Sequence, residues 1–275
     1  MGKAGKEHSS TNDQPGLEIQ VLVASVLEKP RSWVIAHPEV ELSPAQLESL
    51  QINFNRLKNG DPLPYLVGHW EFFGLDFYLS PAVLIPRPET ELLVDEALRW
   101  LRECRTYVHA VDVGTGSGCI AISIARNYSA IDFIAIDISG SALEIAKRNV
   151  IRYRLKDKIE FLQADLIEPI SSSYNLICAN LPYIPSDKLR YLEVSHHEPI
   201  QALDGGVDGL IWINKLLSQA TDKLTSTGLM LIEIEATQSE NASVLAHDYF
   251  SSASISVLPD LSGKPRLLRI ERHED

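Results

Sequence analysis

Apolar residues recur at helical spacing from Leu17 to Leu27, and Lys29-Pro30 stops the run. Ser43-Pro44-Ala45-Gln46 has the form of a helix start, with a capping serine, proline in the first helical position and glutamine three residues after the cap. That helix carries Leu47, Leu50, Ile52, Phe54 and Leu57 and ends at Asn59-Gly60. Residues 62–87 then change character. Trp70-Glu71-Phe72-Phe73 and Phe77-Tyr78-Leu79, around Gly74-Leu75-Asp76, predict an aromatic hairpin that links a small helical unit to a larger C-terminal domain. Pro88 opens another helix, to about Cys104.

From Val108 onward strands and helices alternate, the pattern of an α/β fold with a parallel sheet covered on both faces. Strands are predicted over His109–Val113, Asp132–Ile136, Lys158–Leu162, Tyr174–Ala179, Gly228–Glu235, Ser254–Leu258 and Arg266–Arg272. Helices fall over Cys119–Asn127, over a segment opened by the capping-box pattern Ser141-Ala142-Leu143-Glu144 and running to Tyr153, and over Leu210–Ala220. Between Pro185 and Gly206 the chain is irregular, and residues 1–15 offer almost nothing to bury, so a disordered tail is expected there.

Composition adds limits. The 275 residues are 45% hydrophobic and 23% charged, enough for one large domain or two modest ones with a proper core. No apolar run could span a bilayer, the N-terminus lacks a signal-peptide core, and Lys6 occupies the position where a myristoylation signal needs Ser or Thr. Cys104, Cys119 and Cys178 have no metal-like spacing and sit in apolar stretches, as core thiols of a reducing cytoplasm do; no metal site is expected. The formal charge of −12 argues against a nucleic-acid substrate and favours a basic protein partner.

Two segments carry candidate chemistry. Gly114-Thr115-Gly116-Ser117-Gly118 lies between a strand and a helix, where glycines let the backbone turn tightly and the helix start offers free N–H groups. Asp137 ends the next strand, placed to accept from both hydroxyls of a ribose. A dinucleotide fingerprint needs a glycine where Cys119 stands, so the segment fits the S-adenosylmethionine methyltransferase pattern better than a dehydrogenase. Asp165 closes the third strand and could accept from an adenine amino group, with Leu166 beside it in the pocket; a turn-capping role for Asp165 is the alternative. The second segment is Asn180-Leu181-Pro182-Tyr183, at the carboxyl end of the fourth strand. A side-chain carbonyl followed by a peptide carbonyl suits an NH2 group with two protons to donate, and Tyr183 adds a flat face. An ordinary turn after a strand would use such residues too.

With these in place the chain resembles an amino-methyltransferase. Leu84-Ile85-Pro86-Arg87-Pro88-Glu89-Thr90-Glu91-Leu92-Leu93-Val94, His197-Glu198-Pro199 and Ala202-Leu203-Asp204-Gly205-Gly206-Val207-Asp208-Gly209-Leu210 resemble the release-factor glutamine methyltransferases, known as PrmC or HemK, over roughly residues 17–272. The resemblance implies a seven-stranded Rossmann-like sheet over residues 88–275, a hairpin linker over 69–87 and a helical substrate-binding domain over 16–68. It also implies S-adenosylmethionine as cofactor and a peptide chain release factor as partner, in a cytoplasmic monomer that binds neither membrane nor nucleic acid directly. The reaction would be methylation of the side-chain amide nitrogen of the glutamine in a Gly-Gly-Gln loop. Asn180, Leu181, Pro182 and Tyr183 become the catalytic set, and Gly114, Thr115, Gly116, Ser117, Gly118, Asp137, Asp165, Leu166 and Asn180 the cofactor contacts. Arg87, Glu89 and Thr90 are expected either at the pocket entrance or in hydrogen bonds at the domain junction, and His196 and His197 in structural or surface roles. Two positions depart from the family: Leu181 stands where it usually has Pro, and Glu235 where Gly is common. Asn-Leu-Pro-Tyr is also typical of ribosomal RNA adenine dimethyltransferases, which leaves an adenine amino group as the alternative substrate. A cofactor-binding adaptor without turnover is a third reading.

Overall fold

A computed structural model describes residues 14–104 and 106–274. The tail expected over residues 1–15 lies outside these, apart from Gln14 and Pro15, which begin the first helix. The chain divides into two compact units, Met1–Gly68 and His69–Asp275.

In the first unit α1 (Gln14–Leu27) packs on α3 (Pro44–Lys58), on α2 (Arg31–Ala36) and on α4 (Leu63–Val67). Helix α3 starts as its sequence dictates: Ser43 Oγ accepts from the Gln46 amide at 3.3 Å, and Gln46 Oε1 accepts from the Ser43 amide at 2.9 Å. The α2 and α4 segments are too short to show a helical period, which is why the pattern did not predict them. Leu22, Ala24 and Tyr65 are buried here, whereas Leu47 and Ile52 of the expected apolar face of α3 stay exposed.

The second unit opens with the predicted hairpin, β1 (His69–Phe72) against β2 (Leu75–Tyr78). Its two-residue turn holds Phe73 and Gly74 at φ 52° and 69°, the left-handed conformation that matches the twist of the strands. The Phe73 amide donates to Glu91 Oε1 at 2.8 Å, which pins the tip. Pro88 begins a 3-10 turn, Pro88–Thr90, rather than a regular helix; α5 (Glu91–Leu101) comes next and stops short of Cys104. Its apolar stripe, Leu93, Val94, Ala97, Leu98 and Leu101, faces the core.

The sheet comprises β3 (Val108–Val113), β4 (Ile131–Asp137), β5 (Ile159–Gln163), β6 (Tyr174–Ala179), β7 (Leu224–Glu233), β8 (Ser254–Pro259) and β9 (Pro265–Glu271), in the order β5-β4-β3-β6-β7-β9-β8. Strands β3 to β7 run parallel, and β9 is antiparallel to both β7 and β8. The chain fills one side of β3 before returning to its other side, so β3 and β6 flank the crevice where such sheets bind ligands. The central parallel strands β3, β6 and β7 are buried on both faces, with Val111, Val113, Leu176, Ile177, Met230 and Ile232 inaccessible, whereas the edge strand β5 buries only Ile159.

The intervening helices are α6 (Cys119–Asn127), α7 (Gly140–Arg152), α8 (Ser186–Leu189), α9 (Ile211–Ala220) and α10 (Ser239–Tyr249). The start of α7 corrects the sequence expectation: Ser139, not Ser141, is the cap, its Oγ accepting from the Ala142 amide at 3.2 Å. Ser139 also takes its position from Asp137 Oδ1, which accepts from its amide at 2.9 Å. The sequence pattern did not predict α10, whose buried side is only Ala242 and Ala246.

Asn149, fully buried on α7, joins three segments. Its Oδ1 accepts from the Tyr78 amide at 2.8 Å, and its Nδ2 donates to the carbonyls of Tyr78 at 3.1 Å and Ser117 at 2.8 Å. Removing it strands those backbone groups in a dry environment. Asn149→Ala should lower unfolding free energy by about 3 kcal/mol; a urea midpoint equal to that of the parent would refute this.

Candidate active site

The sheet register assembles the site. Val113 pairs with Ala179 on one side and Ile136 on the other, and Ala179 pairs with Ile232. The next residues along, Gly114, Asp137, Asn180 and Glu233, therefore emerge in one row at the carboxyl edge of the sheet. A cavity of about 350 Å³ opens above this row. Every residue predicted for catalysis or cofactor binding except Gly118 and Tyr183 lines it, whereas Arg87 and Glu89, expected at its entrance, do not.

The glycine turn is held by a buried carboxylate. Asp112, at the end of β3, accepts through Oδ2 from Thr115 Oγ1 at 2.7 Å and from the Ala121 amide at 3.3 Å. Burial pushes its pKa up to about 6. Gly114, at φ 71°, brings its backbone so close to the neighbouring tetrapeptide that a Cβ would sit 3.2 Å from Leu181 Cδ2. Gly118 serves packing instead: as the cap of α6 at φ 80°, it has Ala146 of α7 so near that a Cβ would lie 3.3 Å from the alanine methyl. Asp137 faces the cavity and accepts from the Gly116 amide at 2.9 Å and the Ser139 amide at 2.9 Å, with the Ile138 amide contributing as well. Burial raises its pKa against the pull of those amides.

Asn180 is oriented by its neighbours. Its Nδ2 donates to Thr90 Oγ1 at 3.0 Å and to Glu233 Oε2 at 3.0 Å, so both amide protons are committed and Oδ1 is the end left to act as acceptor. Glu233 is 1% exposed, and it accepts from Tyr183 Oη at 3.3 Å through its other oxygen. Desolvation pushes its pKa up to about 7, opposed by hydrogen bonds from Thr90 and Tyr183 and by the Arg266 charge. Burial and the Glu233 charge raise the Tyr183 phenol, which stays protonated as a donor.

The turn after Asn180 rests on a glycine-rich segment. Ile184 bridges Asp204, and a Cβ on Gly205 would lie 2.8 Å from the Pro182 carbonyl oxygen. A Cβ on Gly209, whose φ is 76°, would lie 2.2 Å from the Tyr183 carbonyl oxygen. Gln238 Nε2 donates to that same carbonyl at 2.9 Å. The backbone of Pro182 and Tyr183 is thus clamped from below.

Known proteins are similar to this chain over most of its length. Residues 5–68 match the PrmC N-terminal domain and residues 90–196 the methyltransferase small domain. A release factor glutamine methyltransferase of Moorella thermoacetica is 38% identical, covering 96% of this chain and 93% of that relative. The chain belongs to the release factor glutamine methyltransferase family. The Koribacter versatilis member is 36% identical over 92% of this chain and 90% of its own length. Among solved structures, a methyltransferase from Pyrococcus furiosus shares the fold at TM-score 0.55 and 16% identity, covering 84% of this chain and 100% of that one.

Both departures from the family pattern have local explanations. Leu181 is buried and fills the space over Gly114 with its side chain. Glu235 has an ordinary φ of −77° and caps a 3-10 turn, accepting from the Thr237 amide, while its own amide donates to Gln238 Oε1 at 3.1 Å. Gln238 is thereby held in place to reach Tyr183. Of the three residues expected at the entrance, Thr90 lines the cavity; Arg87 instead pairs with buried Glu198 at 2.5 Å, which also accepts from the Ile85 amide. Asp165 lines the cavity with one oxygen on Lys215 Nζ at 2.5 Å.

Sequence reasoning overlooked Asp112, Glu233 and Trp212 as site residues. An acid closing the apolar run Leu229–Ile232 was a usable signal for Glu233, the same signal that marked Asp137. Trp212 lines the cavity, its Nε1 donating to the Asp204 carbonyl at 2.8 Å, and nothing in its spacing within α9 announced that.

Gly209→Ala is a sharp test of the clamp. It should displace the Tyr183 peptide and lower kcat by about 100-fold, as misplacements near 1 Å do. Turnover within a few-fold of the parent would show that the clamp is not needed.

Proposed function

We propose that this chain transfers the methyl group of S-adenosylmethionine to the side-chain amide nitrogen, N5, of the glutamine in a Gly-Gly-Gln segment of a peptide chain release factor. The observation that carries this reading is the commitment of both Asn180 amide protons to Thr90 and Glu233. It leaves a fixed carbonyl oxygen on the cavity, complementary to an NH2 donor.

The cavity residues fit the cofactor. Asp137 has lone pairs to accept from two ribose hydroxyls, Asp165 and Leu166 supply an acceptor and an apolar surface for adenine, and the Gly114–Gly118 turn brings backbone close to the amino-acid tail. When bound, S-adenosylmethionine supplies a methyl group on a positively charged sulfur and departs as S-adenosylhomocysteine.

An amide nitrogen is a poor nucleophile because its lone pair is delocalised into the carbonyl. Asn180 Oδ1 would accept one N–H of the substrate glutamine and the Leu181 carbonyl the other, which would fix the nitrogen for attack. Pro182 restricts the direction of the Leu181 peptide, and the Tyr183 ring packs against the amide plane. Transfer would form the N–C bond with the nitrogen lone pair and leave the C–S pair on sulfur, and one of the two N–H protons held on Asn180 Oδ1 and the Leu181 carbonyl would pass from there to solvent. Positioning of this kind is worth up to about 7–11 kcal/mol in ideal cases. The two acceptors also stabilise the positive charge growing on nitrogen. The helical unit over residues 16–68 helps hold the release factor, with residues 69–87 as the link to the catalytic unit.

Mass spectrometry of an unmethylated bacterial release factor after incubation with the protein and S-adenosylmethionine tests the reading directly. One added methyl on the Gly-Gly-Gln glutamine is expected. Asn180→Ala should lower its rate of formation by about 100-fold or more while cofactor binding by calorimetry persists. Transfer to structured RNA instead, with affinity falling steeply as salt rises, would replace this substrate with an adenine amino group.

A further inference from the structure

Asn180 has an amide that can be turned end for end with little change in shape, yet the site works only if its oxygen faces the substrate. Thr90 cannot choose between the two orientations, because a hydroxyl both donates and accepts. Glu233 can. The register seats it beside Asn180 at the end of β7, buried, with Oε2 on Asn180 Nδ2 at 3.0 Å and Oε1 on Tyr183 Oη at 3.3 Å.

We propose that Glu233 is a positioning residue whose ionised carboxylate sets the polarity of the Thr90–Asn180–Tyr183 network, so that turnover requires Glu233 to be deprotonated. The proposal rests on the reading of Asn180 as acceptor for the substrate amide. An ionised carboxylate accepts only. It accepts a hydrogen bond from the Thr90 hydroxyl, which turns the Thr90 lone pairs toward Asn180 Nδ2, and it accepts a hydrogen bond from the second Nδ2 hydrogen itself. Once protonated, Glu233 is also a donor. A flipped Asn180 would then accept from both Glu233 and Thr90 and present its NH2 to the substrate NH2, donor against donor.

The groups facing Glu233 come from every side of the network. Arg266 on β9 favours the charged form, as do Thr90 and Tyr183 through their hydrogen bonds, while Glu89 in the 3-10 turn and desolvation favour the neutral one. The Cys119 thiol on α6 also senses the Glu233 charge and is itself pushed up by burial, so it stays neutral. The balance places the Glu233 pKa at about 7, so the switch falls within a range that an assay can cross. The glutamine amide of the substrate does not titrate there.

The test reads orientation without requiring any methyl acceptor. In two-dimensional proton–nitrogen spectra of the protein, the Asn180 side-chain NH2 pair, identified by its loss in Asn180→Ala, should move with a midpoint near pH 7 between about pH 5.5 and 8.5. In Glu233→Gln it should not move. Glu233→Gln should also lower kcat by about 10–100-fold, lose the acid limb of the kcat profile and leave KM for S-adenosylmethionine nearly unchanged. Thr90→Ser should keep the titration and the rate, and Thr90→Val should keep a titration, because Glu233 still touches Asn180, but lower the rate. Asn180 resonances that ignore pH in the parent, or a folded Glu233→Gln with parental kcat and acid limb, would overturn the proposal. Should Glu233→Gln fail to fold, the parent titration and the Thr90 pair decide. Resonances that titrate in a protein that methylates no release factor would support the positioning role and remove only the substrate reading.

Discussion

The register of the parallel strands is the constraint on which the rest of the structure depends. Pairing of Val113 with Ile136 and Ala179, and of Ala179 with Ile232, brings four strand ends to the same level. Gly114, Asp137, Asn180 and Glu233 then stand side by side although they are far apart in sequence. A slip of one residue in any of these pairings would exchange the faces of a strand and move its terminal side chain out of the row. Burial of both faces of the central strands opposes such a slip, because every alternative would place helix-facing side chains against the wrong partners.

Having the row costs stability. Two of the carboxylates near it, Asp112 and Glu233, are buried, with pKa values raised to about 6 and about 7. A folded-state pKa above the unfolded value means that the native protein binds its proton more tightly. These groups therefore weaken folding as pH rises from the unfolded carboxylate range through the folded pKa, and at higher pH the fold carries the full penalty of two ionised buried groups. Hydrogen bonds from Thr115 and the Ala121 amide offset part of this for Asp112; Thr90, Tyr183, Asn180 and the Arg266 charge do so for Glu233. Groups kept at such a cost commonly belong to the chemistry of a site. Here they set the shape of the glycine turn and the orientation of one amide.

Backbone contact completes the arrangement. Gly205 and Gly209 lie against the peptides of Pro182 and Tyr183 at distances no Cβ could tolerate, and Gln238 ties off the Tyr183 carbonyl. The glycine-rich segment that helped to identify the family is thus a platform under the tetrapeptide. Its loop, Pro185 to Gly206, is bound back to residues 84–87 through Glu198, which accepts from both Ile85 and Arg87. The two family segments flanking the cavity are therefore linked to one another.

Periodicity and turn chemistry sufficed for most of the elements, because strands buried on both faces read as apolar runs and helices as stripes. The α3 capping box, α6 and β6 were legible residue by residue, and the hairpin was legible in kind, although its turn is Phe73-Gly74 and Leu75 and Asp76 belong to its second strand. Helices α2, α4 and α10 were not, being too short or too weakly sided for a period to show. Likewise the sequence by itself determined the glycine turn, Asp137 and the Asn180 tetrapeptide, since each is a local pattern at a strand end. Only the tertiary structure decided that Gly118 packs helices, that Ser139 rather than Ser141 caps α7, and that Thr90 and Glu233 converge on Asn180. The convergence on Asn180 depends on hydrogen bonds between segments 53 and 90 residues apart. Such pairings are set by strand register and burial, which leave no local mark in the chain.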